Sequence, residues 1–122
     1  MDLPTYAPTY TTIDTLKAAR AVLTSPENWT KGCYARDAAG DACKPYSPNA
    51  VKWCAIGACA AVSRQSVYSC KLEMVTDELI KCMPNKPDEP GQGDIADWQD
   101  APETTHEQML AMFDCAITNL NV

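Results

Sequence analysis

The stretch VKWCAIGACAAV, residues 51 to 62, carries a single charge at Lys52 and is apolar on nearly every side when wound as a helix. A helix with no polar face cannot lie on a surface, so the remainder of the chain has to wrap it. Ser47-Pro48 predicts where it starts, with the hydroxyl as N-cap and proline at the first helical position. Read this way, Val51, Cys54, Ala55, Ala58 and Val62 share one face, with Trp53, Ile56 and Cys59 on the flanks. Gly57 inside that helix costs about 1 kcal/mol relative to alanine, which implies that another backbone passes close.

Further helices are expected around this core. Ile13, Leu16, Ala19, Val22 and Leu23 recur at three- to four-residue spacing, with Thr11 or Thr12 as cap, Asp14 in the first turn and Ser25-Pro26 as the stop. A stretch opening at Gln65 or Ser66 carries Val67, Leu72, Val75, Leu79 and Ile80, with Thr76 as a possible restart and Pro84 as its end. Thr104 or Thr105, followed by Glu107 or Gln108, gives a capping box ahead of Met109, Phe113, Ala116, Ile117 and Leu120. Residues 28 to 46 lose periodicity, and the Asp37 to Asp41 turn, with Gly40 able to take positive φ, suggests a small irregular hairpin. It lacks the alternating oxygens and distal Glu of a calcium loop. PNKPDEPGQGD, 84 to 94, has three prolines, two glycines and no apolar side chain, and reads as an exposed loop. The expected architecture is one mainly α domain over 1–122: a compact bundle of four to five helices, a hairpin or irregular segment near 30–45, and an extended segment at 1–10.

Composition narrows the setting. No apolar run approaches the roughly 18 residues of a membrane span. The first ten residues have neither the basic region nor the apolar segment of a signal peptide. Seven cysteines are many, but the number is odd and no Cys-x-x-Cys occurs, so mostly reduced thiols in a cytoplasmic protein are expected. The gaps between Cys33, Cys43, Cys54, Cys59, Cys70, Cys82 and Cys115 match no common zinc module, and neither metal nor cofactor is expected. The net charge of −6 is concentrated after residue 85, where eight acids face Lys86 alone. Such a surface repels nucleic acid and anionic membranes and suits a basic protein surface.

Four segments together carry a family resemblance: Leu16 to Leu23, WTKGCYARDAAGD at 29 to 41, NAVKWCAIGA at 49 to 58, and ADWQDAPETTHEQMLAMFDCAI at 96 to 117. The chain resembles a family of small uncharacterised domains of unknown function from bacteriophages and actinobacteria. Its pattern is Trp-Cys-Ala-x-Gly-Ala, then Trp-Asn-Asp, then Thr-His-x-Glu, and Gln99 stands here in the place of its Asn. The resemblance implies a mostly helical fold and a phage or prophage origin; it brings no established activity.

Three functions compete. A thiol hydrolase would use Cys54 as nucleophile, His106 as base and Asp100 or Asp97 to orient the imidazole. Against it, Cys54 is expected inside an apolar helix, where burial raises a thiol pKa. The plainer reading makes Trp53, Cys54, Gly57, Trp98 and His106 a packing cluster, with His106 bonded near the Asp97 to Asp100 loop. The favoured function is a non-enzymatic phage or prophage accessory protein that binds a host or defence protein through Asp88, Glu89, Asp94, Asp97, Asp100 and Glu103. Inhibition of a nucleic-acid-handling defence system is its concrete version. The third reading is a self-associating structural phage component.

Overall fold

The computed structural model describes residues 11–84 and 88–121; the expected extended segment at 1–10 lies outside them, as do residues 85–87 of the expected loop. Among these residues, five α-helices and one two-stranded ribbon make a mainly α domain. Helix α1, Thr12–Leu23, begins at a capping box in which the Thr11 hydroxyl accepts the Asp14 N–H and the Asp14 carboxylate accepts the Thr11 N–H. Its buried face is Thr15, Leu16, Ala19, Val22 and Leu23. A 3₁₀ turn at Pro26–Asn28 leads into strand β1, Ala35–Asp37. Asp37 Oδ1 then accepts the N–H groups of Ala39 and Asp41, and Gly40 takes φ +87°, so the chain reverses where its turn residues said it would.

The helix start expected at Ser47-Pro48 is not there. Ala50–Trp53 is strand β2, antiparallel to β1, with Ala35 opposite Trp53 and Arg36 opposite Lys52. The Ser47 hydroxyl does accept a backbone N–H, that of Asn49, but it closes a turn that feeds the strand. The reason is pairing. Trp53 carbonyl accepts the Thr30 N–H at 3.0 Å, and Cys54 N–H donates to the Tyr34 carbonyl at 3.1 Å, bonds that a helix through these residues could not make. Helix α2 therefore runs only from Ala55 to Ser63, with Cys54 as its N-cap, the thiol accepting the Gly57 N–H at 3.2 Å. All nine of its residues are buried, as its apolar perimeter required.

Helix α3, Cys70–Lys81, is capped by Ser69, three or four residues after the expected start at Gln65 or Ser66, and runs through Thr76 without a restart. Helix α4, Gln92–Asp100, was not foreseen, and it takes the last residues of the expected loop into its first turn. It buries only Ile95 and Gln99, so no apolar stripe marks it in the sequence. Asp94 anchors its start by accepting the Gly91 N–H at 2.7 Å. Helix α5, His106–Leu120, has the Thr105/Gln108 capping box and buries Met109, Met112, Phe113 and Ala116. Helix α2 is packed by α1, α3 and α4, while α5 closes over α1 and α3. A bidentate pair, Arg20 to Asp114 at 2.9 and 3.2 Å, ties α5 to α1. Five cysteines are free thiols; Cys82 and Cys115 are joined, linking the end of α3 to α5 across a Cα–Cα distance of 5.9 Å.

Candidate functional site

The polar chemistry of the domain gathers where three things meet: the segment 29–32, the N-terminus of α2, and the turn from α4 to α5. At its centre is Gln99, wholly buried on α4. Its Oε1 accepts the indole N–H of Trp29 at 2.6 Å and the backbone N–H of Ala55 at 3.2 Å, while its Nε2 donates to the Thr30 carbonyl and to Asp100. One of the four N–H groups that every helix leaves open at its start is thus satisfied for α2 by a side chain 44 positions away. Asp100 accepts the Gly32 N–H at 3.0 Å. Lys31 reaches the other way, its ammonium donating to the carbonyls of Ala101 and Thr104 at 2.6 and 2.8 Å and lying 5.2 Å from the Trp29 ring. A cation on the carbonyl of Ala101, the C-cap of α4, lies near the negative end of that helix's dipole.

The structure does not assemble the hydrolase triad. His106 Nε2 is 2.7 Å from the Leu23 carbonyl, and because a carbonyl oxygen only accepts, that nitrogen carries the proton and donates. The ring stands 5.7 Å from Trp29. Asp100 is engaged by Gly32 and Gln99 rather than by His106. Asp97 is exposed on α4. Cys54 does occupy a helix N-terminus, where reactive thiols are found, but it is only 4% exposed. Burial pushes its pKa up to about 12; the N–H groups of Gly57 and Ile56 pull the other way without prevailing, and the nearby Asp100 charge raises it further. Asp100 and Cys54 share a shallow recess of about 180 Å³ with Gly32, Cys33, Tyr34 and Ala96, a wall with no cation to hold a thiolate. Among the described residues no three His, Cys, Asp or Glu side chains converge as a metal would require.

The expected packing cluster is divided. Trp53 is fully buried and donates its indole N–H to the Pro45 carbonyl at 2.9 Å, with Cys54 and Gly57 beside it in the chain. Trp98 instead lines a surface groove with Cys82, Pro84, Gln108, Ala111 and Met112. His106 pairs with Trp29, a residue given no role from the sequence. Trp29, Lys31 and Gln99 lie inside the segments that carry the family pattern, which was the only signal pointing to them. Of the six carboxylates proposed for partner binding, Asp94 and Asp100 are spent on internal bonds, while Asp88, Glu89, Asp97 and Glu103 are exposed.

The inertness of Cys54 is directly measurable. Its folded pKa near 12 leaves about a thousandfold less thiolate than an ordinary cysteine at neutral pH. Iodoacetamide is expected to label exposed Cys70 in the native protein and to reach Cys54 and Cys59 only on unfolding, read by mass mapping. The same burial sets a pH dependence. Cys54 and Cys59 both keep their protons in the folded chain well above the unfolded thiol value of roughly 8.5. Above that pH the unfolded chain binds fewer protons than the folded one, so stability falls as pH rises, by about 1 kcal/mol per unit for each thiol. Urea melts between pH 8 and 11 test it, and a flat profile contradicts it.

These features define a class: a small mainly α domain whose irregular segment is pinned by side chains from its last two helices. No described helix is long and apolar enough to cross a membrane. The chain belongs to the family described as "Family of unknown function (DUF6197)", whose model matches residues 7–119. No curated protein matches, and no solved structure does.

Proposed function

We propose that this domain is a non-enzymatic accessory protein of phage or prophage origin that binds a host or defence protein through the acidic surface around α4. The observation that carries the reading is the fate of the charges. Asp88, Glu89, Asp97 and Glu103 are exposed, and among the described residues no cation pairs with them. Among the described residues, the Lys31 ammonium is spent on the carbonyls of Ala101 and Thr104. A field of one sign steers a basic partner toward the surface and selects it, which raises association rate more than it slows dissociation. A groove built to hold nucleic acid is one such partner, which makes inhibition of a nucleic-acid-handling defence system the concrete form of the proposal.

The test uses wild type and the Asp88→Lys, Asp97→Lys, Glu103→Lys triple variant as bait against host lysate. A partner retained by wild type, shed between about 0.1 and 0.5 M salt and lost by the variant, supports the reading. With the captured protein purified, the variant's association rate is expected to drop roughly tenfold with little change in dissociation. Equal capture of the same partner by both baits overturns it.

A further inference from the structure

Two thirds of the way along the chain the structure places a covalent tie between two helices that also pack on each other. Cys82 closes α3, its N–H donating to the Ile80 and Leu79 carbonyls, and its sulfur is bonded to Cys115 on α5, 33 positions later. Yet α5 is already fixed by the burial of Met109, Met112, Phe113 and Ala116 and by the Arg20–Asp114 pair. Nor is the bond enclosed. Cys115 is exposed, Cys82 is half-buried, and beside Cys82 runs an open groove of about 250 Å³ holding Trp98. Structural disulfides that resist reduction are commonly shielded; exposed ones take part in exchange.

A second group bears on the chemistry. The Asn119 amide, one turn beyond Cys115, donates toward both sulfurs, at 3.5 Å to Cys82 Sγ and 3.8 Å to Cys115 Sγ. An N–H donor stabilises a thiolate far more than a neutral disulfide sulfur, so it favours departure of the sulfur it holds. Of the free thiols, Cys54 and Cys59 are buried and Cys70 opens α3, roughly 18 Å along the helix from Cys82, and the electrons are taken from outside the chain.

We propose that Cys82–Cys115 is a reversible thiol–disulfide exchange site that takes its two electrons from an external dithiol. One thiolate of the dithiol attacks Sγ of Cys115, the more exposed of the two residues; the Cys82–Cys115 bond breaks, and its electron pair leaves on Cys82 Sγ beside the Asn119 amide. The second thiolate of the reagent attacks the reagent's own sulfur in the mixed disulfide, which closes the reagent's disulfide and releases Cys115 as thiolate. The two protons given up by the dithiol end on Cys82 and Cys115. Asn119 is a positioning residue in this scheme. Among the described residues, the reduced domain keeps its core and loosens only the ends of α3 and α5.

Graded mixtures of reduced and oxidised glutathione, followed by acid quench, alkylation and mass mapping, test the intact chain. Cys82 and Cys115 are expected to change state together at a midpoint within the range, with an early glutathione adduct on Cys115. The fully reduced protein is expected to keep a cooperative melt and, among the described residues, hydrogen exchange to rise only at 82–84 and 115–121. Asn119→Ala should slow reduction by dithiothreitol about threefold to tenfold while leaving the oxidised protein's Tm unchanged. The Cys82→Ser, Cys115→Ser variant should fold and melt like reduced wild type. A bond that yields only in denaturant, a pair found reduced at every ratio, or a double variant that does not fold each overturns the proposal. An unchanged rate in Asn119→Ala, or a first adduct on Cys82, overturns it as well, since the bond would then not break in the order the Asn119 amide favours.

Discussion

Gly57→Ala is expected to lower the melting temperature by about 10–20 °C, although alanine is the better helix former by about 1 kcal/mol. A Cβ at this position would stand 1.9 Å from the carbonyl oxygen of Tyr34 and 2.8 Å from its carbonyl carbon. Both are backbone atoms, so no side chain can rotate away. The obstacle is also an acceptor, because the same oxygen receives the Cys54 N–H at 3.1 Å. Making room for the methyl separates the segment before β1 from the start of α2 and breaks that bond, at a combined cost of roughly 3–5 kcal/mol. Gly93→Ala is the control: nothing lies within 4 Å of a Cβ there, and stability should be unchanged or slightly raised. Thermal melts of the two variants separate a close backbone approach from a general effect of replacing glycine.

Gln99→Leu should cost a similar amount for a different reason. The leucine fills nearly the same volume, so little cavity forms, but the Trp29 indole N–H and the Ala55 N–H lose their acceptor together. Each buried donor left without a partner costs about 1–3 kcal/mol, which puts the variant about 2–5 kcal/mol below wild type. Gln99→Glu keeps an acceptor for both donors yet sets a carboxylate against Asp100 and the Thr30 carbonyl, so it should recover only part of the loss. Urea midpoints for the pair, with Trp29 exposure followed by fluorescence, check this. A Gln99→Leu midpoint within error of wild type would show that the network holds nothing together.

The ends of the chain's helices were legible where their chemistry was ordinary. Thr11 and Thr105, each one of two threonines expected as a cap, cap their helices in the structure, Thr105 in the expected box with Gln108, while Asp14, expected only to complement the dipole, also closes a box with Thr11. Gly57 announced a close neighbour but not its identity, since Tyr34 lies in the segment with no periodicity. The Ser47-Pro48 signal misled because it is local, whereas residues 50–53 are decided by partners at 30, 34 and 35–37. Cys54 as N-cap went unread because cysteine is not among the usual capping residues. Helix α4 stayed hidden because it is held by two buried residues and a polar network rather than by an apolar stripe. The same displacement changed the chemistry assigned to the site: the thiol moved from helix interior to helix end, and its burial, not its position, keeps it protonated.

The pinning of residues 29–32 has a consequence for biosynthesis. Trp29, Lys31 and Gly32 are held by groups 68 to 73 positions later in the chain. Translation at 5–20 residues per second puts roughly 4–14 s between the appearance of the socket and that of its key. Throughout that interval the apolar α2 emerges with the side that α4 will cover still open. A nascent chain stalled before residue 92 is therefore expected to be a client of ribosome-associated chaperones, and emergence of α4 and α5 to be the event that frees it.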